Sequence, residues 1–187
     1  MADTSYHFLK KKGNYRSLIA YQKAECIYDI TYYFAHTFLE KGDRTVDQMV
    51  QAARSGKQNI AEGASASSTS SETELKLINV ARASLQELLT DFEDYLRVRG
   101  LELWTPDSEK AIQTRKVCAH RNDSDYYREQ IAVRSDETVA NIAITLIHQE
   151  DVMLRKLIER LQEDFVKEGG VKEKMTKARL DFRKNNQ

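Results

Sequence analysis

The chain has 187 residues, with 29 basic and 29 acidic side chains and a formal net charge of +0. That length supports one domain whose core needs no metal or disulfide staple, and the charge balance argues against a surface that coats nucleic acid throughout, leaving only local basic patches. One proline, seven glycines, 31% charged and 41% hydrophobic residues place the chain among soluble, helix-rich proteins.

The first residues, "MADTSYHFLKKKGNYR", contain no apolar signal core, and no stretch approaches the roughly 18 apolar residues of a membrane span. Cys26 and Cys118 have no zinc-like spacing. The expectation is a cytoplasmic protein with free thiols, no cofactor and no membrane partner.

Residues 16–41 lack glycine and proline. Ala20, Ala24, Ile27, Thr31, Phe34 and Phe38 recur at alternating spacings of four and three, the seam of a packed helix. A second stripe runs beside it through Tyr21, Tyr28, Ala35 and Leu39. Gly42 is expected to end the helix at the position after the C-cap. A second helix follows from residue 43, with Val46, Met49, Val50, Ala53, Ile60, Ala61 and Ala64 on one broad face. "SASSTS" reads as a loop, and Ser71 with Glu74 as a capping box for a third helix over about 71–99. Leu75, Ile78, Ala81, Leu85, Leu88, Phe92 and Leu96 carry its seam, and Gly100 stops it.

Residues 101–135 differ. Pro106 and "HRNDSD" punctuate them, with a short helix at about 107–119 and a fragment holding Tyr126 and Tyr127. After Ser135, a candidate N-cap, a long helix runs to about residue 168. One seam is Val139, Ile142, Leu146, Met153, Leu157 and Leu161. A second is Ile144, Ile147, Leu154, Ile158 and Phe165. Gly169-Gly170 ends it, and the tail "VKEKMTKARLDFRKNNQ" has the makings of one more short helix. The organisation is a flexible arm at 1–15, a body at 16–168 with an insertion at about 101–135, and a basic tail at 169–187. Four long helices, with short turns between the first three, predict an all-α, antiparallel up-down four-helix bundle. Double stripes on the first and fourth helices require contact on two sides, with the 101–135 segment or with another subunit.

"QAARSGKQNIAEGASASSTSSETE", residues 51–74, has the look of a phosphate loop and fails as one. Gly56-Lys57 is followed by Gln58, the first glycine position holds Gln51, and both flanks are helical. Asn59 and Glu62 lie on adjacent turns of one face with no His or Cys nearby, which is weak ground for acid–base catalysis. The reading adopted is structural, with no catalytic or metal residue assigned. Asn59, Glu62, Arg82 and Glu87 form polar locks between the second and third helices, and Arg82 grips Glu62 bidentately. Gly56, Ala53, Ala81 and Ala83 are small enough for close helix approach.

These residues also carry a resemblance. Asn59-Ile60-Ala61-Glu62-Gly63, followed by Ala81-Arg82 and Ser84-Leu85 with Glu87, resembles the bacterial four-helix-bundle family of ribosomal RNA intervening-sequence proteins. That family includes the accessory variability determinant of diversity-generating retroelements. The resemblance covers about residues 16–100 and, loosely, the fourth helix. It implies a homopentameric bundle with no catalytic residue. In the retroelement branch it implies binding to RNA or DNA and to a reverse transcriptase. The 101–135 segment and tail depart from the simple bundle and look like the variant with an added C-terminal suffix region. The neutral charge departs from the basic retroelement protein.

Candidate phosphate contacts lie at the two ends: Lys10, Lys11, Lys12 and Arg16, then Lys172, Lys174, Lys177, Arg179, Arg183 and Lys184. The competing reading is a solvated chain end. Tyr21 and Tyr28 follow helical spacing and read as packing rather than base-stacking residues. The four histidines, His7, His36, His120 and His148, are scattered without metal spacing and are expected at the surface. The functional expectation is a non-enzymatic, homo-oligomeric assembly or binding protein. The alternative is an accessory that binds nucleic acid and a reverse transcriptase.

Overall fold

The computed structural model describes residues 14–185, and these are all-α, with no strand among them. A 3-10 turn, Tyr15–Ser17, leads into α1 (Ile19–Phe38). The turn forms because Asn14 Oδ1 accepts from the Arg16 amide at 3.1 Å, and Gln22 Nε2 returns to the Arg16 carbonyl at 3.0 Å. The helix is therefore shorter than residues 16–41 at both ends. At its far end Leu39 is already extended, and a turn closes from Glu40 O to Asp43 N at 3.0 Å. Gly42, at φ +92°, belongs to that turn and not to the helix cap.

Asp43 caps α2 (Arg44–Ala66) by accepting from Thr45 N at 2.8 Å. α3 (Ser71–Arg99) is capped by Ser70, whose Oγ accepts from Thr73 N at 3.1 Å. The cap thus sits one residue before the expected Ser71, because Ser70 has the extended backbone that an N-cap needs and Ser71 is already helical. Gly100 ends α3 in the left-handed conformation, its N–H on the Leu96 and Arg97 carbonyls. α4 (Glu109–His120), α5 (Ser124–Ile131), α6 (Asp136–Glu168) and α7 (Val171–Asn185) follow.

α1, α2, α3 and α6 pack in cyclic order, each against two of the others. Register is fixed by pairs. Gly56 faces Leu85 and Gly63 faces Ile78, so α2 and α3 run in opposite directions. Arg82 bonds Asp151 at 2.7 Å and Tyr95 bonds Asp136 at 2.8 Å, so α3 and α6 do the same. The core is apolar and interdigitated. Phe34 meets Phe92 and Tyr95 edge-on, with ring centroids 5.0 and 4.7 Å apart, an arrangement that adds about 0.5–1.5 kcal/mol per pair beyond area burial.

The double stripes are largely satisfied within one chain. α5 lies against α1 and α4 against α6. Ala35, Ile144, Ile147 and Leu154 are buried as a result, and Tyr127 and Ile131 of α5 enter the same core. Tyr127 is a core residue, which explains the aromatic pair that the periodicity left unplaced. Only the end of the second α6 stripe stays open, with Phe165 42% exposed. The connector between α3 and α4 has no helix of its own and is held by side chains of α4 and α6, with Arg115 donating to the Pro106 carbonyl and Glu137 accepting from Glu102 N at 3.2 Å. Asn141 of α6 accepts from Trp104 N at 2.9 Å and donates to the Glu102 and Glu137 carbonyls at 2.8 Å.

Candidate functional site

Of the four residues marked as locks between the second and third helices, only Asn59 lies at their contact. Arg82 does not hold Glu62. It turns to α6, where Asp151 accepts from its Nε at 2.7 Å and also pairs with Arg155 at 3.0 Å. Glu62 is exposed and accepts from Gln58 one turn earlier at 3.1 Å. The reason is the close approach at Gly56. It places the short side chains of Ser55 and Ser84 face to face, 2.9 Å between hydroxyls, and leaves Glu62 on the outer side of α2. Asn59 completes that contact by donating to the Ser55 carbonyl and hydroxyl at 2.9 and 3.2 Å. Glu87 is exposed. The α2–α3 polar lock is thus a serine pair backed by an asparagine, and the charged lock lies between α3 and α6.

A second constellation was not assigned from the sequence. Lys23 of α1 is 2% exposed and Glu150 of α6 is 0% exposed. Lys23 Nζ donates to the Cys118 carbonyl at 2.6 Å and to Gln149 Oε1 at 3.2 Å. Cys118 is in the last turn of α4, where carbonyls lack intrahelical donors and the helix dipole is negative. Lys23 therefore closes the end of α4 from below, while Gln149 Nε2 reaches the Arg115 carbonyl one turn earlier at 3.0 Å. These bonds explain why a lysine occupies an apolar seam: it fastens the 101–135 segment to the core.

Glu150 has no such partner. Both carboxyl oxygens are buried without a hydrogen bond among the described residues. Burial pushes its carboxyl well above the usual range, and the nearby Lys23 charge opposes that shift only in part. Burial likewise lowers Lys23. Around them, burial raises the Cys26 thiol to about 12 and also raises the Cys118 thiol and the Tyr127 phenol. Tyr127 donates to the Arg121 carbonyl at 3.1 Å. Both thiols are protonated at neutral pH, so neither is an activated nucleophile. Among the described residues no group of three or more His, Cys, Asp or Glu is arranged to hold a metal ion.

Beside Lys23 lies a cavity of about 580 Å³ between α1, α4, α6 and the 101–106 connector. Leu103, Trp104, Pro106, Ala111, Ile144 and Met153 supply apolar wall, and Lys23, Arg115 and Glu93 supply charge. Trp104 Nε1 is buried with no acceptor among the described residues. A site of this size and polarity can hold a small molecule.

The basic residues divide. Lys10, Lys11 and Lys12, with His7, lie outside the described residues. Arg16 is exposed beside Tyr15, its guanidinium 5.7 Å from the ring centroid. Lys172, Lys174, Lys177, Arg179, Arg183 and Lys184 all sit on α7, and all but Lys174 are well exposed. His36, His120 and His148 are exposed, as expected. No helix among the described residues is long and apolar enough to cross a membrane. Comparison of the chain with family models, curated proteins and solved structures finds no match.

Proposed function

We propose that this protein is a non-enzymatic assembly and binding protein, an antiparallel up-down four-helix bundle that self-associates. The observation that carries the reading is α7. Val171, Met175, Ala178 and Phe182 repeat at spacings of four, three and four, a helical seam. Met175 is 43% exposed, and Phe165 and Val166 at the end of α6 extend the same open apolar character. Among the described residues α7 packs extensively against no other helix. Exposed apolar side chains at the end of α6 and on α7 favour a second copy as their cover, and the family resemblance supplies five as the number.

Light scattering after gel filtration tests this. A single oligomeric species at micromolar concentration is expected, and deletion of residues 171–187 should dissociate it. A stable monomer of the intact chain refutes self-association, a dimer refutes the number, and an oligomer unchanged by the deletion refutes the role of α7.

The accessory reading, with nucleic acid and a reverse transcriptase as partners, rests on the six cations of α7. Repeated around an oligomer, weak phosphate contacts would add through avidity. Affinity should then fall with salt at a slope of about −0.9 per neutralised duplex phosphate. Binding of a duplex DNA probe is expected at low salt, lost near physiological salt, and absent after deletion of 171–187. Tight binding that survives high salt contradicts it. Co-purification with a reverse transcriptase encoded beside the gene tests the protein partner.

A further inference from the structure

We infer that the cavity beside Lys23 is a binding site for a small amphipathic carboxylate, with an apolar body against the Trp104 wall and its anionic head toward Lys23 and Arg115. Such a site is independent of self-association.

Three features of the cavity point the same way. Its wall is mainly apolar side chains from four parts of the chain, so an alkyl or aryl body loses water there and gains packing. Its volume of about 580 Å³ lies within the range of small-molecule sites. Its charge is unequal, with Lys23 and Arg115 against Glu93 alone. Lys23 is the decisive group. An ammonium has three donors, and the fold supplies Lys23 with two acceptors, Cys118 O and Gln149 Oε1. No carboxylate of the described residues forms an ion pair with it. A buried cation with one donor unfilled, on the wall of an apolar cavity, is complementary to an anionic acceptor. Arg115 stands closer to solvent and, among the described residues, its guanidinium donates to the Pro106 carbonyl alone, leaving most of its donors for the same head group.

Trp104 makes the test direct, because it is the only tryptophan in the chain and it forms part of the cavity wall. Its emission is followed while the full-length protein is titrated with decanoate and, separately, with decanol. A saturable shift with decanoate is expected, at a dissociation constant about tenfold or more below that of decanol, the scale of a charge-assisted hydrogen bond. Lys23→Met should erase that preference while keeping the response to decanol. Should Lys23→Met fail to fold, Arg115→Gln at an exposed position should reduce the same preference severalfold. Ala119→Phe, which projects a ring into the cavity from an exposed helix position, should abolish both responses. No saturable shift with either probe overturns the site. Equal affinity for decanoate and decanol, or a preference untouched by both charge variants, overturns the anionic head.

Discussion

Glu150→Leu should raise the stability of the fold at neutral pH by about 1–3 kcal/mol, the cost of leaving a buried acceptor without a partner. For a chain of this length that is about 2–4 °C of melting temperature per kcal/mol. α6 places residue 150 on the face that packs against α1, where neighbours such as Leu146, Ile147 and Leu154 are fully buried. Both carboxyl oxygens lack partners there, and leucine fills similar volume with no polar atom. Lys23 loses the influence of the nearby Glu150 carboxyl and keeps its two hydrogen bonds.

The pH dependence separates this from ordinary repacking. The folded-state pKa of Glu150 is raised, by burial, above its unfolded value of about 4.5. A raised group contributes stability that is fully present below the unfolded pKa and is lost as pH rises through the folded pKa. Lys23, lowered by burial, acts in the opposite sense: its contribution is present above the unfolded pKa and is lost as pH falls through the folded one. Wild type alone mixes the two slopes, so the difference between wild type and Glu150→Gln is the clean quantity. Chemical denaturation from pH 4.5 upward should show that difference growing in favour of the glutamine variant as pH rises. A difference constant across the range would mean that the carboxyl is not held protonated by the fold.

How far the sequence reveals the architecture depends on which force sets each feature. Helix limits set by glycine or by a capping side chain are legible to within a residue, as at Gly100, Asp43 and Ser135. The start and end of α1 are not, because they depend on a tertiary turn and on Gln22 folding back to Arg16. The serine contact at 55 and 84 is half legible. Small residues at 53, 56 and 81 mark a close approach, but the rotation of α2 that sends Glu62 outward follows from packing on α1 as well as on α3. Lys23 and Glu150 had a signal that periodicity alone contains. Residue 23 falls between Ala20 and Ile27, and residue 150 fills the slot between Leu146 and Met153, so each is a charged residue in a seam position. What no periodicity gives is that the two seams bring them to the same level. Nor does it give the cavity, which is lined by the connector that Asn141 pins together with residues of α1, α4 and α6.

The close approach of α2 and α3 carries the other large effect. Gly56→Leu should cost about 3 kcal/mol or more, at the upper end of overpacking penalties, or about 6–12 °C of melting temperature. A Cβ built at Gly56 stands 2.8 Å from Leu85 Cδ2 and 2.9 Å from Leu85 Cγ. The tip of a leucine can rotate away; its Cγ moves only with the whole side chain, and Leu85 is 1% exposed in the core. Gly56→Ala sets two terms against each other. Alanine gains about 1 kcal/mol of helix propensity over glycine, and overpacking costs about 1–3 kcal/mol, so a smaller net loss is expected. At Gly63 the nearest atom is Ile78 Cδ1, a flexible tip at 3.1 Å, and Gly63→Ala should be milder still. The double variant Gly56→Leu/Leu85→Ala exchanges the large and small partners across one contact. It should be more stable than the sum of the single losses by about 0.5–3 kcal/mol, the coupling of side chains that touch. A Gly56→Leu protein that melts with wild type would show that the helices do not meet at this residue, and additive losses in the double variant would place the strain away from Leu85. The same contact aligns Ser55 with Ser84. Forcing the helices apart should therefore also break the serine pair that stands where the sequence pattern suggested a charged lock.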